Sequence, residues 1–434
     1  MANPQNGTPR QRTQRPSELE EIPAGDTGPT LGTGLASVHA SHSPSPSRTR
    51  FSKRRKNPSF LRRCKQFVFK HTWTIPLVLL LVVLSLYAVN PAEANIIRRF
   101  IFLSYKLPVE AGADPNTPPQ YGKGLWDLAF VTFYMVVLSF TREFITQEIL
   151  RPLARLNGIN SRGKQARFME QMYTAVYFSI MGPAGLYVMS RSPVWYFNTR
   201  GMYEFFPHKT HEAVFKFYYL FQAAYWAQQA IVLVLGLEKP RKDFKELVGH
   251  HIVTLALIAL SYRFHFTYMG IAVYLTHDIS DFFLAASKSL NYVKSPLQSW
   301  TFGLCIAVWI YMRHYINLKI IFSLFNEFQT IGPYELNWET QQYKSPLANV
   351  IALGLLASLQ ALNLFWLFCL FRSAYKLVVL KIAKDDRSEV EESELEDMAR
   401  KKRLAESKLI AASGLSKANG NGHAAPLTKR KGTF

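Results

Sequence analysis

The chain has 434 residues, 48% of them apolar, and 51 Lys and Arg against 30 Asp and Glu for a formal charge of +21. Such a balance would suit a nucleic-acid binder, but the apolar residues come in long blocks flanked by the basic ones, and no nucleic-acid fold motif accompanies them; this is the positive bias that orients a membrane protein. Cys64, Cys305 and Cys369 have no metal-ligand spacing and cannot build a disulfide framework.

Residues 1–70 form a polar tail rich in Ser, Pro, Arg and Gln, with 13 Lys/Arg against 4 Asp/Glu. It is expected to be disordered and is no cleavable signal peptide. Thr72 to Ala92 then carries no charged residue, long enough to cross about 30 Å of hydrocarbon. Similar blocks recur, and spans are predicted at 73–90, 125–141, 169–189, 213–236, 250–263, 267–291, 297–324 and 347–371. The expectation is an all-α, polytopic membrane helical bundle of about 8 transmembrane helices (6–8). The short Arg263-Phe264-His265 link makes the fifth and sixth spans an antiparallel hairpin.

Basic loops alternate with less basic ones along the chain, which places both termini in the cytosol. The C-terminal tail carries eight acidic residues between Asp385 and Asp397. Ser388 and Ser393 each have an acidic residue three positions on, the setting acidophilic kinases use, so both are phosphorylation candidates. The chain divides into a basic tail (1–70), two spans with their loops (71–160), a helical domain (161–382) and an acidic tail (383–434).

The stretch HHIVTLALIALSYRFHFTYMGIAVYLTHDISDFFLAASKSLNY, residues 250–292, carries the chemistry. On a helix, His277, Asp278 and Asp281 fall within one quadrant. The same stripe runs through Gly270, Tyr274, Lys288 and Asn291 or Tyr292. The fifth span has its own stripe of His250 or His251, Thr254, Ser261 and His265. A carboxylate in mid-membrane costs about 2.5–3.5 kcal/mol on insertion scales, so such residues face a bundle interior or a wet cavity and mark function. A His–Asp pair could hold two helices together, relay protons, or catalyse. A di-iron site would need more histidines, and no interrupted-helix pair of a transporter is present. No phosphate-binding Gly-rich loop appears, so a catalysed reaction should not need ATP. Histidine, as general base or nucleophile, would then act on an activated substrate arriving from the cytosol.

At these residues the sequence resembles the longevity-assurance, or ceramide synthase, branch of the TRAM–LAG–CLN8 (TLC) family, in a form that looks fungal. The paired histidines, the SY, the HD-x-x-D, the Lys and the NY fall at that family's spacing, and the likeness covers about 165–380. It implies a six-helix TLC domain and an N-acyltransferase that joins a fatty acyl group from acyl-CoA to a sphingoid base, in the endoplasmic reticulum membrane. No cofactor or metal is implied. Partners implied are acyl-CoA, the sphingoid base, the bilayer, a small single-span accessory subunit and a dimer with another synthase. The resemblance gives catalytic roles to His250 and His251, with Asp278 and Asp281 orienting an imidazole or holding the amine. His277, Tyr274, Ser261, Lys288 and Asn291 would bind substrate. Arg162, Lys164, Arg167, Arg241 and Lys242 are candidates for the CoA phosphates, and His314 beside Arg313 could line the cavity. The rival is a non-catalytic TLC-fold protein that binds or transports lipid.

Overall fold

A computed structural model describes residues 71–108, 118–236 and 242–379. The basic tail, Arg241 and the acidic segment with Ser388 and Ser393 lie outside the described residues. Eight long helices account for most of the described chain: α1 Thr74–Val89, α2 Trp126–Leu156, α3 Arg162–Ser190, α4 Ala213–Val234, α5 Phe244–Arg263, α6 Thr267–Tyr292, α7 Gln298–Thr330 and α8 Pro346–Val379. Each overlaps one predicted span. Four of them, α2, α5, α7 and α8, are long and apolar enough to cross a bilayer by composition alone. The molecule is a multi-pass membrane protein of the all-α class.

The helices run past the predicted spans. α2 reaches Leu156 rather than 141, α7 reaches Thr330 rather than 324, and α5 begins at Phe244 rather than 250. Apolarity reports only what hydrocarbon covers, while helix-forming residues such as Lys245, Glu246 and Leu247 carry the backbone on into the polar zone. His250 and His251 are therefore well inside α5, not at its tip. Two π-helical stretches interrupt the longer helices. Ile145–Leu150 in α2 precedes Pro152, which has no N–H to donate. Ile310–Ile316 in α7 contains Arg313 and His314; such bulges cluster at functional sites.

α6 is the central helix. Half of its 26 residues are buried, and it packs along α3 and α7 and against α5. The approach to α3 and α4 is tight: a Cβ on Gly185 would lie 2.3 Å from the Tyr218 hydroxyl and 2.6 Å from Leu275. α1 is the opposite case. It is apolar all round and leaves Val78, Leu79, Leu81 and Val82 half exposed, which suits a helix turned toward lipid.

The end of the bundle at the α5–α6 link is closed by polar contacts. Lys216 pairs with Asp127 at 2.7 Å and donates to the carbonyls of Ser104 and Gly122. The Tyr262 hydroxyl donates to the same aspartate at 2.7 Å. Two short antiparallel pairs complete this end: β1 Gln120–Tyr121 with β2 His211–Glu212, and β3 Leu336–Asn337 with β4 Gln342–Tyr343. His265, in the link at φ +67, stacks on Tyr343. Lys123 donates to its Nδ1 at 3.3 Å.

Burial, reinforced by the Lys123 charge, pushes the His265 imidazole down to about 3 from its ordinary 6.5. The unfolded chain therefore binds a proton there that the folded one refuses, and stability falls as pH drops from about 6.5 toward 3. Thermal melts in detergent should show this acid destabilisation, and His265→Asn, which tolerates the positive φ, should reduce it.

Candidate active site

α5 and α6 run antiparallel from their short link, so the start of α5 meets the later half of α6. His250 and His277 face each other with ring centroids 6.3 Å apart. Both line a common, mostly apolar cavity. Its walls come from α5 (Thr254, Leu257, Ser261), α6 (Met269, Gly270, Tyr274), α4 (Tyr219, Trp226) and α8 (Leu356, Leu359). Thr254 and Ser261 stand four and eleven residues after His250, close to whole helical turns, so one stripe of α5 faces the space.

The ring nitrogens divide the histidines. His277 donates from Nδ1 to the Val273 carbonyl at 2.9 Å, and its Nε2 accepts from Asn363 of α8 at 3.4 Å. Its tautomer is set from both sides. His251 donates from Nδ1 to the Leu247 carbonyl at 2.9 Å. His250 differs: it is buried, its Nδ1 has no hydrogen-bond partner among the described residues, and aromatic rings surround it. Trp226 and Trp366 lie edge-on at 5.7 and 5.2 Å. The Trp366 indole in turn donates to Asp243 at 3.1 Å, joining α8 to the residue before α5.

The carboxylates do not share the cavity wall. Asp281 points to α7 and pairs with Arg313 at 2.7 Å. The guanidinium also donates to the Ser280 hydroxyl at 2.6 Å, to Asn363 Oδ1 at 3.1 Å and to the His277 carbonyl at 3.4 Å, and lies 4.0 Å over Trp309. The His277 carbonyl and the Asp281 carboxylate thus meet at Arg313. Asp278 points to α4: Gln222 and Tyr218 donate to its Oδ2, and its Oδ1 is buried without a partner among the described residues. Gln222 is held by the Tyr177 hydroxyl at 3.0 Å.

Of the predicted substrate residues, His277, Tyr274 and Ser261 line the cavity. The Tyr274 hydroxyl has no partner among the described residues, and that of Ser261 lies 2.5 Å from Tyr219. Lys288 and Asn291 are partly buried further along α6 and do not line it. Arg167 is buried and paired with Glu170 at 2.8 Å, while Arg162 and Lys242 are exposed. His314 turns from the cavity to Gln360, which donates to its Nδ1 at 2.7 Å. Arg313, Asn363, Trp366, Tyr219 and Gln222 were not singled out from sequence. Arg313 could have been: a guanidinium within an apolar span demands a carboxylate partner.

This is a membrane helical bundle with a histidine-lined cavity backed by buried carboxylates. Residues 167–372 match the TLC domain family. The chain is 53% identical to the sphingosine N-acyltransferase-like protein FUM17 of Gibberella moniliformis, over 80% of this chain and 91% of that protein. It is 46% identical to sphingosine N-acyltransferase lac1 of Schizosaccharomyces pombe, over 80% and 89%. It is also 46% identical to ceramide synthase LAG1 of Saccharomyces cerevisiae, over 76% and 79%. The chain belongs to the TLC-domain family, in the branch of these relatives.

Arg313 is buried and Asp281 partly buried, so breaking the pair costs less than the ~3–5 kcal/mol of a fully buried one but still leaves a charge short of its partner. Arg313→Met should therefore lower the melting temperature of the purified protein markedly. Adding Asp281→Asn to it should recover part of the loss, measured by the same melt.

Proposed function

We propose that this protein is a ceramide synthase, an N-acyltransferase that moves a fatty acyl group from acyl-CoA to the amine of a sphingoid long-chain base, giving ceramide and free CoA. The observation that carries this reading is His250: a buried imidazole on the wall of an apolar cavity, with an Nδ1 that has no partner among the described residues. The names of the relatives agree with it.

His250 attacks the thioester carbonyl, the C–S bond breaks, and the CoA thiolate leaves with a proton. The amine then attacks the acyl-imidazole, loses its proton, and restores the free ring. In a variant of the same scheme His250 takes the amine proton directly while the amine attacks the thioester. A thioester is already activated, so neither route needs ATP, a metal or a cofactor. His251, held by the Leu247 carbonyl, orients its neighbour or shares the proton. Asp278, one turn from Tyr274 and held by Gln222 and Tyr218, fixes the turn of α6 that carries the cavity residues. Asp281 acts through Arg313, which fixes the turn of α6 that presents His277. Tyr274 and Ser261 offer hydroxyls to the substrate. Lys288 and Asn291, nearer the far end of α6, suit its polar head.

The site opens toward the cytosol in this scheme, with both termini on that side of the endoplasmic reticulum membrane. Arg162, Lys164 and Lys242 would attract the CoA phosphates there. A small single-span subunit and a second synthase are the expected protein partners.

The test supplies purified protein, with whatever co-purifies, with dihydrosphingosine and palmitoyl-CoA, and measures ceramide by mass spectrometry. Wild type should form it. His250→Ala should lose about 10²–10⁴-fold, the range a positioned proton-transfer group contributes. His250→Ala with full activity would refute the assigned role. Wild type that binds both lipids without forming ceramide would be a non-catalytic lipid-binding relative.

A further inference from the structure

A second cavity continues the first along α5. It lies between α5, α8 and the β3–β4 hairpin, with Leu260, Phe264, Trp338, Leu347 and Ile351 among its walls. Four residues belong to both cavities: Leu257 and Ser261 of α5, Met269 of α6 and Leu356 of α8. They form a neck. From His250 to Phe264 is 14 residues, about 21 Å along the helix at 1.5 Å per residue, so the two chambers together run much of the depth of the bundle.

The neck suits one kind of occupant. Its only polar group is the Ser261 hydroxyl, and that lies 2.5 Å from the Tyr219 hydroxyl. A chain passing through meets hydrocarbon on every side. A plain acyl tail loses nothing there, whereas the amine and hydroxyls of a sphingoid base would go unpaired in the second chamber. The walls also differ in stiffness. Leu356 is wholly buried in the core that joins α8 to its neighbours. Leu257 is only partly buried, and Met269 is an unbranched side chain that can re-pack.

We propose that Leu257 and Met269 form a chain-length selector: short acyl groups end in the first chamber, and long ones must pass between these two side chains into the second. This rests on the N-acyltransferase reading above. It adds the point along the tail at which length is judged, which lies at mid-depth and not at the closed end of the bundle.

One methylene more or less in an apolar pocket is worth about 10–200-fold in discrimination. Leu257 lies seven residues from His250, about 10 Å along the helix at 1.5 Å per residue, so the experiment gives the purified protein octanoyl-CoA, short enough to end there, and hexacosanoyl-CoA in competition, with dihydrosphingosine, and reads the ratio of the two ceramides. Leu257→Trp or Met269→Phe should lower the long-to-short ratio by about tenfold or more. Leu257→Ala, which only removes bulk, should raise it. An unmoved ratio in a variant that still makes the octanoyl product overturns the selector. So does an equal loss of both products with a raised KM for dihydrosphingosine, which would put the base, not the acyl tail, through the neck. If the bulky variants fail to fold, Leu257→Ala decides alone, and an unchanged ratio there is a refutation. A wild type that makes neither ceramide refutes the enzyme and the selector together; a working wild type with an unmoved ratio refutes the selector only.

Discussion

The guanidinium of Arg313 lies in a helix that hydrocarbon would otherwise surround, 4.0 Å over Trp309 and 2.7 Å from Asp281. A charge at that depth persists only with a partner and with its other donors satisfied. Both conditions are met from three helices: Asp281, Ser280 and the His277 carbonyl on α6, Asn363 on α8, and Arg313 itself on α7. The π-helical stretch at Ile310–Ile316 carries the Arg into this position. α6 is thereby fixed in rotation as well as in place. That rotation turns His277 and Tyr274 to the cavity and Asp278 to α4. A second polar tie, Gln222 with Asp278 and Tyr177, holds the opposite side of the same turn.

From this follows a division of labour among groups that look alike in sequence. One aspartate is neutralised by a cation; the other has only neutral donors. One histidine has both ring nitrogens engaged, and another has an orphan nitrogen. Burial without a partner costs stability, and such a group persists where function uses it; His250, on the wall of an apolar cavity, is placed for that. The aromatic surround of Trp226 and Trp366 keeps water from that ring, and the Trp366–Asp243 bond anchors the cover to the start of α5.

Much of this was legible in the chain itself. Every long helix overlaps a predicted span, because apolar blocks separated by charged loops leave few alternatives. The polar stripe of α6 was legible too, since helical spacing puts His277, Asp278 and Asp281 in one quadrant whatever surrounds them. What spacing cannot give is the identity of the neighbour. One quadrant of a central helix touches several helices, so Asp278 and Asp281, three residues apart, meet α4 and α7 respectively. α5 starts before its predicted span because hydropathy fades before the helix does. Trp366, Asn363 and Gln222 carry no motif; their roles come from partners distant in sequence.

The central claim is that acyl transfer runs through His250 by the first of the two proposed routes, in which that ring receives the acyl chain. Its most direct test is to incubate the purified protein with palmitoyl-CoA alone, without any sphingoid base, quench, and map the added mass by peptide mass spectrometry. The account predicts one palmitoyl group on His250, discharged as ceramide when dihydrosphingosine is added. An adduct on another residue, or free CoA released only when the base is present and with no adduct at all, would contradict it.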